Sequence, residues 1–281
     1  MNTLKAALAA AREKLPASEA RLLLGYVLDR PAAWLIAHDD DMLEEADLLR
    51  FASLVARRKG GEPVAYLVGH REFYGREFAV SPAVLIPRPE TEMLVDLALA
   101  QEVGVGATAK CTATGATSIL DLGTGSGCIA VTLALEIRQA EVTAVDASAA
   151  ALSVARENAE RLGATLRLQQ SNWFDQLAGE TFDLIVANPP YIATTDPHLA
   201  AGDLRHEPEP ALASGADGLD AIRQIVAGAP RHLRPRGRLW LEHGYDQAAA
   251  VHELLAAAGF DDIQQHRDVA GIVRVSGGRR S

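Results

Sequence analysis

The sequence predicts an α/β fold, in which a mainly parallel, Rossmann-like sheet of seven strands follows a small helical domain and a β-hairpin. Three observations lead to this prediction. Apolar residues recur at helical spacing through about residue 60, aromatic and β-branched residues flank Gly75, and from Ser118 onward short apolar runs alternate with longer amphipathic stretches. Strands that alternate with helices indicate a doubly wound sheet with helices on both faces.

Residues 1–62 predict a helical bundle that forms an N-terminal domain. One helix begins near Leu4, a second near Ser18 and a third near Pro31, and a fourth ends at Gly60 and Gly61. The predicted apolar faces of the first two helices consist of Leu4, Leu8 and Ala11 and of Leu22, Leu23, Tyr26 and Val27. No catalytic spacing occurs in this segment.

Residues 63–88 predict a β-hairpin linker, and residues 89–281 predict the large domain. A helix begins near Glu90 or Thr91 at the start of this domain. Residues 104–118 are rich in Gly, Ala and Thr and lack periodicity, so they predict a loop or a flexible insertion.

The region from Ser118 supplies the seven predicted strands. In chain order they are SILDL, VTAVDAS, LRLQQSNWF, FDLIVANPP, RLWLEHG, DIQQHRD and GIVRVSGG. Helical patterns separate the first strand from the second, the second from the third and the fifth from the sixth, and AIRQIVAGAPRHLRPRG predicts a helix before the fifth. The last two strands follow each other directly, which predicts that one of them is antiparallel. The final GGRRS predicts a disordered end.

The composition limits the classes of function. The net charge of −10 argues weakly against a long nucleic-acid footprint, which usually requires a basic stripe. The two cysteines, Cys111 and Cys128, form no CxxC pair, and the eight histidines form no metal spacing, so we expect no disulfide framework and no metal site. The charged N-terminal stretch lacks the apolar core of a signal peptide, and no window reaches the length of a membrane span. These features predict a cytoplasmic protein that does not contact membranes.

A glycine loop follows the first strand of the large domain. In LDLGTGSGCIA, Gly123, Gly125 and Gly127 lie between a strand and a helix, where glycine allows a tight turn and the close approach of a ligand. Asp146 ends the next strand, at the spacing of a carboxylate that accepts the hydroxyl groups of a ribose. These residues predict a site for a cofactor that contains adenosine.

The identity of that cofactor depends on charge. The dinucleotide pattern fails from Gly123 because residue 128 is Cys, although a relaxed pattern of Gly125, Gly127 and Ala130 keeps NAD open. Asp121 precedes the loop, and its carboxylate would repel a pyrophosphate but suit a cationic ligand. S-adenosylmethionine has a sulfonium and an ammonium group and no phosphate, so the sequence favours it.

The fourth predicted strand ends in Asn188-Pro189-Pro190-Tyr191, at the edge where an open α/β sheet binds its ligands. The Asn188 side-chain oxygen and the Pro189 carbonyl are two acceptors in a stiff frame, and Tyr191 adds an aromatic face. Two acceptors that hold the N–H groups of an amide or an exocyclic amine would orient its nitrogen toward a sulfonium methyl group. An alternative is that the prolines only end the strand and that Asn188 caps the next helix.

These motifs resemble those of the PrmC/HemK family, which are class I S-adenosylmethionine-dependent methyltransferases. The similarity spans nearly the whole chain and includes the segments EPVAYLVGHREFYGREFAVSPAVLIPRPETEMLV, ILDLGTGSGCIAV, FDLIVANPPYI and EPEPALASGADGLDAIRQI. The family methylates the side-chain amide nitrogen (N5) of a glutamine, in a GGQ-type loop of peptide chain release factors. The resemblance therefore implies release factors as protein partners, with S-adenosylhomocysteine as the second product, and it implies that the helical N-terminal domain helps to dock the release factor.

The resemblance also implies the roles of individual residues. The implied cofactor contacts are Gly123, Thr124, Gly125, Ser126, Gly127, Asp146, Trp173 and Asn188, with Asp146 at the ribose and Trp173 near the adenine. The implied substrate pocket consists of Asn188, Pro189, Pro190 and Tyr191, of which Asn188, Pro189 and Tyr191 are the catalytic set. Trp173 also suits an ordinary place in the core. Arg88 and Glu90 receive no chemical role, since pairs that brace a loop are as common.

Two other classes of function stay open at this stage. A nucleic-acid methyltransferase that acts on adenine N6 or guanine N2 has the same need for acceptors, and an NAD-dependent oxidoreductase or a binding module without activity would also contain a glycine loop.

Overall fold

The computed structural model describes residues 2–105, 116–137 and 139–281. The chain divides into two compact units, Met1–His70 and Arg71–Ser281. The division falls within the segment 63–88 that the sequence predicts as a linker.

The first unit is helical. Its helices are α1 (Leu4–Arg12), α2 (Ala17–Leu28), α3 (Ala32–Ala37), α4 (Glu45–Lys59) and α5 (Val64–Val68). The Thr3 hydroxyl caps α1 by accepting a hydrogen bond of 3.2 Å from the backbone N–H of Ala6. Pro31 precedes α3 and Gly60 follows α4, as the sequence predicts, whereas the five-residue α5 escaped prediction because its apolar pattern is too short.

The predicted apolar face of α2 is partly wrong. Leu23, Leu24 and Val27 are buried in the core of the first unit, but Leu22 and Tyr26 are 49% and 43% exposed. Residues four apart lie on the same side of a helix, so Leu22 and Tyr26 form a second apolar stripe beside the buried one. The spacing alone did not distinguish the two stripes.

The predicted hairpin is present, with strands β1 (His70–Phe73) and β2 (Arg76–Ala79). Tyr74 and Gly75 connect them with φ of 52° and 73°, and positive φ at both central positions matches the right-handed twist of a two-stranded ribbon. After a short 3₁₀ turn (Pro89–Thr91), α6 spans Glu92–Val105. Residues 104–105 therefore end a helix, and 106–115 of the predicted insertion, with Cys111, lie outside the described residues.

A seven-stranded sheet forms the centre of the second unit. Its strands are β3 (Ser118–Leu122), β4 (Glu141–Asp146), β5 (Arg167–Gln170), β6 (Phe182–Ala187), β7 (Leu233–Glu242), β8 (Phe260–Arg267) and β9 (Val273–Arg280). The spatial order is β5-β4-β3-β6-β7-β9-β8, and β9 is antiparallel to both of its neighbours. This arrangement confirms the predicted mainly parallel sheet.

Helices cover both faces of this sheet. They are α6, α7 (Cys128–Glu136), α8 (Ala149–Leu162), α9 (Asp220–His232) and α10 (Ala248–Ala257). Ile119 and Leu184 belong to one apolar cluster, while their chain neighbours Leu120 and Ile185 belong to another. Successive strand residues point to opposite faces, so the sheet is buried on both sides, as is typical of parallel sheets. In the described part of the chain, no helix is long and apolar enough to cross a bilayer.

Two predicted boundaries near the C-terminus are wrong. The predicted helix through Gly237 ends at His232, and β7 begins at Leu233 and includes Pro235. The GGRRS end is mostly strand, since β9 continues to Arg280. Residue 277 has to be glycine in this strand, because a Cβ atom there would lie only 2.0 Å from the Leu239 carbonyl oxygen.

The strand register brings four polar or flexible positions to one edge. Leu122 pairs with Val145 and with Ala187, and Ala187 pairs with Leu241. The residues that follow these positions, Gly123, Asp146, Asn188 and Glu242, therefore leave the sheet side by side. The strand order reverses between β3 and β6, and such a switch point is where open α/β sheets bind ligands.

Candidate active site

A cavity of about 350 Å³ opens at this edge of the second unit, a size suited to a small-molecule ligand. Its wall consists of the glycine loop, the start of α8, the turn after β5, the end of β6 and the segments 83–91 and 208–211. The predicted site residues that line it are Gly123, Thr124, Gly125, Ser126, Asp146, Trp173, Asn188 and Pro190. Gly127, Pro189 and Tyr191 are outside the cavity wall.

The Asp146 carboxylate ties the glycine loop to the start of α8. Its Oδ2 accepts a hydrogen bond of 2.9 Å from the N–H of Gly125, and its Oδ1 accepts one of 2.8 Å from the N–H of Ser148. Each carboxylate oxygen can accept a further hydrogen bond, so the group can still bind a pair of hydroxyls. Burial raises the pKa of Asp146, while these hydrogen bonds act in the opposite direction.

Gly127 supports the loop from behind. Its φ is 81°, and a Cβ atom at this position would lie 3.1 Å from the Cβ of Ala155 on α8. A larger residue would therefore be strained in its backbone and crowded against the helix. Asn158, one turn further along α8, donates a hydrogen bond of 2.9 Å to the carbonyl of Ser126 and one of 3.0 Å to the carbonyl of Ala79.

Asp121 lies beneath the loop and does not line the cavity. Its side chain is fully buried, and its Oδ2 accepts a hydrogen bond of 2.7 Å from the Thr124 hydroxyl. Burial raises the pKa of Asp121 to about 7, against the lowering effect of Thr124. The carboxylate that the sequence places beside a ligand is therefore buried behind Thr124, which does line the cavity.

Trp173 occupies a constrained turn at the cavity wall. Its φ of 49° is left-handed, which is uncommon for a bulky residue and marks a position held by its surroundings. The Ser171 hydroxyl donates 2.9 Å to the Trp173 carbonyl and accepts 3.1 Å from the N–H of Gln176. The indole lies over the glycine loop, since a Cβ atom at Gly123 would be 3.4 Å from its Cζ3.

Asn188 is connected to a buried carboxylate. Its Nδ2 donates a hydrogen bond of 3.0 Å to the Thr91 hydroxyl, and that hydroxyl lies 2.7 Å from Oε2 of Glu242. The Tyr191 hydroxyl donates to the other carboxylate oxygen at 3.1 Å. Among the described residues, no group donates a hydrogen bond to Oδ1 of Asn188, although this atom is buried.

The residues after Asn188 hold their backbone in place. Gln247 donates a hydrogen bond of 3.0 Å to the Tyr191 carbonyl, and the N–H of Ile192 donates 2.9 Å to the carbonyl of Leu212. Pro189 is buried, and within the described ranges its carbonyl receives no hydrogen bond. The Asn188 side chain and the Pro189 backbone thus each retain an acceptor.

Arg88 and Glu207 brace two segments of the cavity wall. Arg88 Nη2 pairs with Oε1 of Glu207, and the N–H of Ile86 donates 3.0 Å to Oε2. The Glu207 side chain is fully buried. The pair connects the segment before α6 with the turns that precede α9, and it does not involve Glu90.

Cys128 is a packing residue. It lines the cavity at the start of α7, but burial raises the pKa of its thiol to about 12, so it stays protonated at neutral pH. In the described residues, no group of three or more His, Cys, Asp or Glu side chains is placed to hold a metal ion.

Four residues of the site escaped the sequence analysis. The sequence pattern predicts only a helix start at Thr91 and assigns no role to Glu242, Asn158 or Glu207. Glu242 ends a strand at the ligand edge of the sheet, as Asn188 does, so the rule that singled out Asn188 could have identified it. Nothing in the local pattern points to the partners of Asn158, 79 and 32 residues away, or to those of Glu207, 121 and 119 residues away.

Comparison with known proteins finds two family models and several relatives whose names agree with one another. The family described as PrmC N-terminal domain matches residues 1–69, and the family described as Methyltransferase small domain matches residues 108–205. A protein of Bordetella pertussis named release factor glutamine methyltransferase is 53% identical over 94% of this chain and 95% of its own length. One of the same name from Burkholderia pseudomallei is 51% identical over 99% of both chains.

A solved structure shares the fold at lower identity. The 16S rRNA N2 methyltransferase of T. thermophilus, in complex with AdoMet and guanosine, superposes with a TM-score of 0.54 and is 22% identical. The match covers 75% of this chain and 50% of that chain. The likeness identifies the large unit as a class I methyltransferase fold.

Proposed function

Because the chain belongs to the release factor glutamine methyltransferase family, we propose that it methylates the side-chain amide nitrogen of a glutamine in a peptide chain release factor. S-adenosylmethionine is the cofactor, and when bound it supplies an electrophilic methyl group on a sulfonium. The observation that supports the proposal most directly is the buried, unpartnered Oδ1 of Asn188 at the ligand edge of the sheet.

The cavity fits the cofactor at its glycine loop. Asp146 has acceptor capacity for two ribose hydroxyls beyond the N–H groups of Gly125 and Ser148. Trp173 offers an aromatic ring to the adenine, and the loop Gly123–Gly127 allows close approach to the methionine part. The relatives are named methyltransferases, which favours S-adenosylmethionine over NAD.

The substrate side requires two acceptors. A primary carboxamide has two N–H groups, and we assign Oδ1 of Asn188 to one and the Pro189 carbonyl to the other. Burying Oδ1 without a partner costs about 1–3 kcal/mol, which a bound amide would recover. Pro190 lines the cavity beside Asn188, while Tyr191 contributes through its hydroxyl contact with Glu242.

These two oxygens would also act on the rate. An amide nitrogen is a poor nucleophile because its lone pair is delocalised, so its orientation in line with the methyl group matters. Positive charge develops on the nitrogen during transfer, and the hydrogen bonds to Asn188 and Pro189 strengthen as it does. No strong base is required beforehand, since the N–H becomes acidic only as the new bond forms.

The proposal is tested by treating a release factor with the protein and S-adenosylmethionine and locating the added methyl by mass spectrometry. One methyl on a single glutamine side chain is the expected result. Asn188→Ala should lower turnover by about 10²–10³-fold, the size of losing one preorganised polar contact, while cofactor affinity in calorimetry stays nearly unchanged. Normal turnover of this variant would contradict the role of Asn188.

A nucleic-acid substrate is the second candidate, because adenine N6 or guanine N2 also presents an amine to two acceptors. The full-length relatives favour the protein substrate. Labelled S-adenosylmethionine with release factor, DNA or RNA as the acceptor distinguishes them, and we expect label in the release factor alone. We place the reaction in the cytoplasm, as the cysteine content predicts.

For the first unit we propose a role in docking the release factor. Five of the seven exposed large apolar side chains in the described residues lie in this unit, namely Leu22, Tyr26, Ile36, Met42 and Leu49. Exposed apolar residues favour contact with another protein where they form one patch, and these five are the residues of the unit that could form it. Replacing Ile36 and Leu49 by Ser should raise KM for intact release factor and leave KM for a short glutamine peptide unchanged. Equal effects on both substrates would count against docking.

A further inference from the structure

We propose that Thr91 and Glu242 are positioning residues that hold the Asn188 carboxamide in one of its two orientations, with the oxygen toward the substrate. The inference rests on the proposed function, because it concerns the acceptor that binds the glutamine amide. It adds two residues that lie far from the Asn-Pro-Pro-Tyr motif in sequence.

The arrangement of protons follows when Glu242 is ionised. An ionised carboxylate only accepts, so the Thr91 hydroxyl at 2.7 Å then donates its single proton to Oε2 of Glu242. The Thr91 oxygen then faces Asn188 with a lone pair. The group of Asn188 that lies 3.0 Å away is therefore the Nδ2 donor, and Oδ1 is left for the substrate.

With Glu242 ionised, the same contacts disfavour the opposite orientation. A carboxamide has nearly the same shape when its oxygen and nitrogen are exchanged, so packing alone selects weakly between them. With Oδ1 turned toward Thr91, two acceptors would meet inside a buried site. The Nδ2 group would then face the N–H groups of the substrate, donor against donor, and both contacts would be lost.

Glu242 is held so that it can perform this task. It is 2% exposed, and Tyr191 donates a second hydrogen bond to it at 3.1 Å. Burial raises the pKa of Glu242 above its usual range, and the two hydroxyls and the charge of Arg274 offset this only in part. Each hydroxyl donates its proton to one oxygen of the carboxylate, so neither the Thr91 nor the Tyr191 hydroxyl has a proton available for another acceptor.

The arrangement has a consequence for specificity. Glutamine and glutamate have almost the same shape but differ in that the carboxylate of glutamate has no N–H to donate. An Oδ1 acceptor held toward the cavity should favour glutamine and repel glutamate. If Asn188 can turn over, its Nδ2 can donate to glutamate, and the preference should weaken.

The experiment uses the full-length protein with three substitutions. Thr91→Val removes the hydroxyl at nearly constant shape, and Thr91→Ser retains it. Thr132→Val is the matched control, because Thr132 is fully buried on α7 and its hydroxyl has no partner in the described structure. One peptide carries the unmodified glutamine that is the methylation target in the release factor, and a second peptide carries glutamate in its place. Calorimetry in the presence of S-adenosylhomocysteine measures the affinity of the protein for each peptide.

We expect the wild-type protein, Thr91→Ser and Thr132→Val to prefer the glutamine peptide. In Thr91→Val, the preference for the glutamine peptide should be about tenfold smaller than in the wild type, and kcat should be lower by about tenfold or more. The affinity of this variant for S-adenosylhomocysteine should stay within about twofold of wild type. If Thr91→Val retains both the preference and the turnover, or if Thr91→Ser loses as much as Thr91→Val, the inference is overturned.

Glu242→Gln tests Glu242, the second positioning residue, and this test does not depend on how well Thr91→Val folds. Glutamine keeps the shape of Glu242 but has one acceptor oxygen for two hydroxyls, so the preference for the glutamine peptide should decrease. The double variant Thr91→Val/Glu242→Gln should lose no more than the more damaged single variant, because Glu242 acts through Thr91. Losses that add would remove Glu242 from the role. A wild-type protein that does not methylate the glutamine peptide or the intact release factor would instead overturn the proposed function.

Discussion

Replacing Asp146 with Ala should weaken cofactor binding without unfolding the protein. The carboxylate accepts the N–H groups of Gly125 and Ser148 at 2.9 and 2.8 Å and retains one acceptor position on each oxygen. A hydrogen bond from a ribose hydroxyl to a charged oxygen contributes about 1.5–3 kcal/mol. The dissociation constant for S-adenosylmethionine should therefore increase by roughly 10- to 150-fold.

Isothermal titration calorimetry measures this change, and a thermal melt of the unliganded protein separates it from instability. Asp261→Ala is the matched control, since Asp261 is an exposed residue of β8 that does not line the cavity. We expect its dissociation constant to equal that of the wild type. An Asp146→Ala variant that binds within twofold of wild type would refute the assignment of the ribose to this carboxylate.

Three further predictions concern stability. Gly127→Ala should lower the melting temperature more than Gly163→Ala, because both have φ above 70° but only the Cβ at residue 127 is crowded. Glu207→Gln should lower the free energy of unfolding in urea by roughly 1–3 kcal/mol, since Arg88 would lose its buried anionic partner. The pKa of Asp121 is raised to about 7, so its ionisation costs stability as pH rises from 4 to 7. Asp121→Asn should remove this loss of unfolding free energy, which is at most about 4 kcal/mol. If the unfolding free energies of the wild type and the variant change with pH in the same way, the prediction is wrong.

The cofactor part of the site could be predicted from the sequence because its geometry is local. Gly125 and Asp146 are 21 residues apart and belong to one strand–helix–strand unit, whose geometry is set by backbone rules. The same rules placed Asn188 at the ligand edge. In each case the residue follows a run of apolar residues that becomes a buried strand.

The substrate part could be predicted only in outline because its contacts are distant in sequence. Thr91 is 97 residues from Asn188 and 151 from Glu242, and only the folded sheet brings them together. The error at Leu22 and Tyr26 has a related origin. A helical period identifies residues that share a side of the helix, but which side faces the core depends on the neighbouring helices.

The two parts of the cavity therefore depend on different kinds of interaction. Backbone N–H groups and positive φ angles shape much of the cofactor side. On the substrate side, the decisive feature is which way the Asn188 carboxamide points its oxygen. The backbone conformation does little to select between the two orientations. Two side chains outside the motif fix that direction through the placement of a single hydroxyl proton. It follows that a chain could keep the fold and the Asn-Pro-Pro-Tyr motif and still lose its selectivity for glutamine over glutamate if Thr91 or Glu242 changed.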